Sequence, residues 1–173
     1  MSALLVPLSA PEAADVARFG PKGANLAKLG HGGLPTPGGY CLSADAYRLQ
    51  IKALGLEDSA RGAFAADDGA TARRCALNMK IGLMDEPITP EILDTLMTVW
   101  NDIKAQHGLP IVVRSSALVE DRFGSSFAGQ FESFLDLEDE TDYQTAIRAC
   151  WAAMWSRSVT NRHPKPCWTC HKT

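Results

Sequence analysis

The sequence has no apolar run approaching the roughly 18–20 residues needed to cross a bilayer as a helix, and no surplus of positive charge. Its 17 Lys and Arg stand against 20 Asp and Glu, a formal net charge of −3. That balance gives no reason to expect nucleic acid or an anionic membrane as partner. The N-terminus, M-S-A-L-L-V-P-L-S-A-P-E, lacks a basic leader region, and its short apolar run reads as a first strand, not a signal peptide. Cysteine is sparse and odd in number, at five. Cys41, Cys75 and Cys150 lie in apolar surroundings, so the expectation is reduced core thiols in a cytoplasmic protein. The G-x-x-x-x-G-K-[ST] spacing of a Walker A loop is absent. What remains is an ordinary globular composition, 46% apolar and 21% charged over 173 residues, enough for one domain or one large lobe.

The stretch from Ile111 to Leu137 organises the chain. Ile111-Val112-Val113 is a β-branched run that reads as a buried strand, and Arg114 sits at its end. A Gly/Ser-rich segment follows, with glycines at 124 and 129. A second strand is expected over Phe131–Leu137, where Phe131, Ser133 and Leu135 alternate with Glu132, Phe134 and Asp136. A loop of this kind lets backbone N–H groups approach an anion without Cβ obstruction, and a neighbouring arginine can neutralise the charge. A plain exposed connection would look the same.

Around this centre the pattern predicts a strand over Leu4–Leu8 and a short helix begun by Ser9 as N-cap, with Glu12 in capping-box spacing. Gly20 and Gly23 bracket Lys22 just before a helix that ends near Gly30–Gly33. A lysine there can hold an anion against the helix N-terminus, or be a solvated lysine in a turn. A strand at Tyr40–Leu42 leads to a helix from Ala44 to about Leu54, capped by Ser43 and stopped by Gly55. Residues 55–69, rich in Gly, Ala and Asp, read as a surface loop or frayed helix. A helix over Ala70–Met84 should turn Cys75, Met79 and Leu83 inward. Thr89-Pro90-Glu91 is a helix start, and Ile92, Leu96, Val99, Trp100 and Ile103 form one apolar face ended by Gly108. His107 reads as an exposed charge partner of that helix end. A last helix, opened by Asp139–Asp142, carries the stripe Tyr143, Ile147, Cys150, Trp151, Met154 and Trp155.

Three segments appear in one order: G-P-K-G-A-N-L-A-K-L with G-L-P-T-P-G-G-Y and S-A-D-A-Y-R; then V-V-R-S-S-A-L-V-E-D; then S-F-A-G-Q-F-E-S-F-L with I-R-A-C-W-A-A-M-W-S-R-S-V. Together they resemble the N-terminal nucleotide-binding region of the phosphoenolpyruvate synthase and pyruvate phosphate dikinase family, over about Val6 to Val159. Rifampin phosphotransferases and phenylphosphate synthases share that region. The resemblance implies an α+β chain, a partial ATP-grasp fold whose single lobe has a mixed or antiparallel sheet flanked by helices. It implies ATP and Mg as cofactors. It places Lys22 and Arg114 on ATP phosphates, the loop of Gly124, Ser125, Ser126 and Gly129 over them, and Ser133 near the nucleotide. In that family a second lobe completes the site with adenine contacts and acidic Mg ligands, and a phosphohistidine domain carries a T-x-x-G-G-x-x-x-H type motif that none of the four histidines matches. The implied function is an ATP-binding fragment of a phosphotransferase, with no catalytic residue or metal ligand assigned within it. The alternative is a non-catalytic module, as a homodimer or docked on chains that carry the missing lobes.

The domain reading is a lobe over 1–159 and a divergent, disordered tail over 160–173. In the tail, Cys167-Trp168-Thr169-Cys170-His171 matches the C-x-x-C-H haem-attachment pattern and could offer three zinc ligands. Haem attachment requires export and a pocket, so the motif reads instead as accidental or redox-sensitive.

Overall fold

The computed structural model describes residues 3–116 and 133–155. Its core is helical. A long apolar stripe on α5 (Pro90–His107) and another on α6 (Glu140–Ala153) meet in one cluster with α2 (Ala44–Ala53), α3 (Glu57–Ala65) and α4 (Gly69–Asp85). Trp100, Met79, Leu83, Ile92 and Leu96 are its largest fully buried side chains. Trp100 packs on Tyr143 with ring centroids 5.0 Å apart. The indole N–H of Trp155 donates to the Tyr47 hydroxyl at 2.6 Å, which satisfies both groups inside the core.

Local chemistry sets most helix ends. Ser43 accepts from the Ala46 N–H, Asp68 from Thr71 and Asp139 from Asp142, so a side-chain oxygen takes up an otherwise orphaned donor at each start. Gly55, at φ 64°, ends α2 as expected. Two expected caps differ. The helix after the first strand is a 3-10 turn over Pro11–Ala14 with Ala10, not Ser9, at the cap, because Pro11 takes the first helical position. Thr89 occupies the cap of α5 without a side-chain bond. Its N–H is held by the Gln50 Oε1 at 2.9 Å, while Gln50 Nε2 donates to the Pro87 carbonyl at 2.9 Å. Gln50 is fully buried, so this pair clamps α2 onto the connection from α4 to α5.

Residues 57–65 are a helix, α3, and not a loop. Its inward side is Ala60 and Ala63, and Gly62 has no side chain where a Cβ would meet the Cys75 sulfur at 2.7 Å. Small residues let α3 lie close on α4, and large apolar periodicity is unnecessary.

Four strands form two separate antiparallel pairs among the described residues, where a single mixed or antiparallel sheet was expected. β1 (Leu5–Pro7) pairs with β2 (Tyr40–Leu42), and a small second core of Val6, Ala13, Phe19, Ala27 and Cys41 binds them to α1 (Val16–His31). β3 (Ile111–Arg114) pairs with β4 (Ser133–Leu137) and packs on α6. Of the expected Phe131–Leu137 strand, the first two residues lie outside the described ones. The α+β class stands.

Candidate phosphate-binding corner

The helix expected at residues 24–29 is the second half of a longer one. α1 starts at Val16, capped by Asp15, and breaks at Gly20, whose φ of 74° and ψ of 166° lie where only glycine is comfortable. Pro21 then begins a fresh helical segment, a position its fixed φ suits. Lys22 therefore lies in the first turn of that segment, exposed, where the partial positive charge of the helix end is greatest.

Against this break lies the end of β3. The Gly23 N–H donates to Ser116 Oγ at 2.9 Å, a bond that spans 93 residues of sequence. A Cβ on Gly20 would sit 1.7 Å from the Ser116 carbonyl oxygen, so the two backbones touch there. Ser115, beside it, is buried. The G-P-K-G and V-R-S-S segments thus meet in one corner. Arg114, at the end of β3, is exposed and lies opposite Ser133 in the strand register. Behind Gly23 is the buried Cys41 thiol, its sulfur 3.0 Å from where a Gly23 Cβ would be. Burial pushes Cys41 up to about 11, so it stays a neutral thiol and offers neither a nucleophile nor a negative charge to the corner.

Of the residues singled out in the sequence, Lys22 directly precedes Gly23 in the helix start, Arg114 lies two residues before Ser116 at the end of β3, and Ser133 pairs with Arg114. Gly124, Ser125, Ser126 and Gly129 lie outside the described residues, as do Glu120 and Asp121. Gly20 and Ser116 do more than sequence reasoning assigned them. The Gly-Pro step at 20–21 and the paired serines after Arg114 were the available signals.

A cleft of about 440 Å³ lies at the other end of α1 between His31, His107, Gly38, Gly39 and Tyr40. It is about 14 Å along the helix from Lys22 at 1.5 Å per residue. α1 and α5 both present their C-terminal ends there, at His31 and His107, and the partial negative charge of such ends opposes an anion. As expected, His107 is exposed at the close of α5.

The family model described as "Pyruvate phosphate dikinase, AMP/ATP-binding domain" matches residues 16–165. Among curated relatives, a probable phosphoenolpyruvate synthase of Staphylothermus marinus is 30% identical over 157 residues, 86% of this chain and 19% of that protein. The phosphoenolpyruvate synthase of Neisseria meningitidis is 32% identical over 160 residues, 86% of this chain and 20% of that one. The prodigiosin synthesizing transferase PigC of Serratia marcescens is 31% identical over 160 residues, 88% of this chain and 16% of its own length. The chain spans about a fifth or less of these relatives.

Proposed function

This chain belongs to the pyruvate phosphate dikinase AMP/ATP-binding domain family, and from that premise we propose that it is one lobe of an ATP-grasp nucleotide site, the lobe that grips the phosphates. One observation carries the reading. The bond from Gly23 to Ser116 joins the lysine-bearing helix start to the chain just beyond the strand end that carries Arg114, which supports a shared role for two exposed cations distant in sequence. Phosphoryl transfer depends on positioning and charge neutralisation more than on covalent help, and two cations beside a helix start supply both. The AMP/ATP-binding description of the family supports ATP as the ligand. For magnesium, no group of three or more His, Cys, Asp or Glu able to hold a metal ion occurs among the described residues, and no protein ligand is assigned to it here. When bound, magnesium would supply neutralising charge to the phosphate oxygens.

The proposal is of a half-site in a phosphoenolpyruvate-synthase-like phosphotransferase, not of a complete catalyst. These relatives are about five or more times longer than the matched segment, and their names differ in product. The test is calorimetric titration of MgATP into the purified chain and into Lys22→Ala and Arg114→Ala. A charge-assisted hydrogen bond contributes about 1.5–3 kcal/mol, so each substitution should weaken binding roughly tenfold or more. Unchanged affinity in both variants would refute the corner as the phosphate site. ATP-dependent phosphotransfer by the chain alone would refute the half-site.

A further inference from the structure

α4 carries its charges in an order that opposes its own dipole. A helix start is the positive end and its finish the negative end, so acids suit the start and bases the finish. In α4 no acid stands in the first turn and no base in the last. Arg73 and Arg74 lie in its N-terminal half, and Asp85 is its last residue. Among the described residues, neither Arg73 nor Asp85 forms an ion pair. The helix is apolar between them on its outer side. Ala76, Met79 and Leu83 are buried, and α3 and α6 pack on the helix. Leu77 and Ile81 each lie about 160° around the helix from Met79, and they are 57% and 49% exposed. Arg73, Leu77, Ile81 and Asp85 are four residues apart, so they form one continuous ridge that reads basic, apolar, apolar, acidic.

Such a ridge is complementary to itself when reversed. We infer that α4 is the contact face of a homodimer, in which two copies of the helix pack antiparallel about a two-fold axis midway between Leu77 and Ile81. Leu77 of one copy then meets Ile81 of the other, and Arg73 meets Asp85, each contact occurring twice. Ridges of four-residue spacing laid side by side give the commonest helix crossing, about 50°. The antiparallel arrangement also sets the negative end of each helix beside the positive end of its partner, so charges that are misplaced in one copy are answered by the other. Arg74 and Lys80, on opposite sides of the ridge, stay at the rim in water. An anionic membrane or an acidic peptide would meet the arginines but be opposed by Asp85. A partner must be acidic at one end and basic at the other, and a second copy of this chain is. The inference does not rest on the nucleotide reading, because α4 shares no residue with the corner at Lys22.

The test is sedimentation equilibrium of the 173-residue chain. One pair of crossing helices lies at the small end of interface size, so the dissociation constant should be on the order of 0.1 mM, and the loading runs from about 10 μM to about 1 mM. Arg73→Asp and Asp85→Arg should each weaken self-association about tenfold, because the two-fold axis turns two ion pairs into two like-charge contacts. Mixed in equal amounts, these two variants should associate as well as wild type does, since one is acidic at both positions and the other basic at both. Leu77→Gln/Ile81→Gln removes four apolar side chains from the dimer and should leave only monomer. All of these positions are exposed, so circular dichroism should show the fold retained. A wild type that stays monomeric across the range would overturn the inference. So would a dimer that the variants leave unchanged, which would use another surface, and so would a mixture that fails to associate, which would exclude the antiparallel pairing.

Discussion

Gly20→Ala should be among the most damaging single-methyl additions the described chain can suffer. The backbone at φ 74° and ψ 166° is outside the range alanine tolerates, which costs about 1–3 kcal/mol. The new Cβ would also occupy the space of the Ser116 carbonyl, 1.7 Å away, and overpacking of this kind costs about 1–3 kcal/mol more. Together these are about 3–5 kcal/mol, a large share of the roughly 5–15 kcal/mol that stabilises a typical domain. Gly55→Ala is the control. It has a positive φ of 64° with nothing within 4 Å of an added Cβ, so it should show only the backbone part, about 1 kcal/mol. Urea unfolding of the two variants separates strain from collision. Equal small losses would mean that α1 and β3 do not touch as described. The variant also couples stability to function: α1 or β3 must move to admit the methyl, so MgATP affinity should fall with it.

Trp100→Ala should destabilise the chain by about 3–5 kcal/mol, the usual cost of emptying a buried aromatic site. Trp100 is 1% exposed and is the largest of the fully buried side chains. It stacks at a tilt on Tyr143, so its loss also removes an aromatic pair that joins α5 to α6. β3 packs on α6, but the corner itself lies at the outer end of β3. The effect should therefore divide cleanly. The urea midpoint falls sharply, while the protein that remains folded binds MgATP as wild type does. A variant with wild-type stability would show that the α5–α6 contact is not the centre of the core.

These two residues illustrate what the sequence could and could not reveal. Trp100 was legible because Ile92, Leu96, Val99 and Trp100 repeat at helical spacing between a Thr-Pro start and a glycine stop. The stripe on α6 and the Ser43 cap were legible for the same reason: each is a local pattern with a local cause. α3 was left between a surface loop and a frayed helix, because its buried side is Ala60 and Ala63, and burial of small side chains leaves no strong periodicity. The β-branched run Ile111–Val113 suggested a buried strand, yet Val112 is half exposed, since α6 packs on the face that Ile111 and Val113 present. The break at Gly20 was hidden for a different reason. Glycine before proline permits many backbones, and only the approach of Ser116, far along the chain, selects this one. For the proposed corner, cations beside glycines and serines stood out in the sequence, but the contact between residues 23 and 116 did not, because no local pattern encodes it.

The central claim is that Lys22 and Arg114 share one phosphate-binding corner, and the most direct measurement is a backbone amide chemical-shift map during titration of MgATP. The expected result is saturable change concentrated at Lys22, Gly23, Arg114, Ser115, Ser116 and Ser133, with the cleft at His31 and His107 unmoved. No change at millimolar MgATP in a folded protein, or change centred on that cleft, would contradict the account.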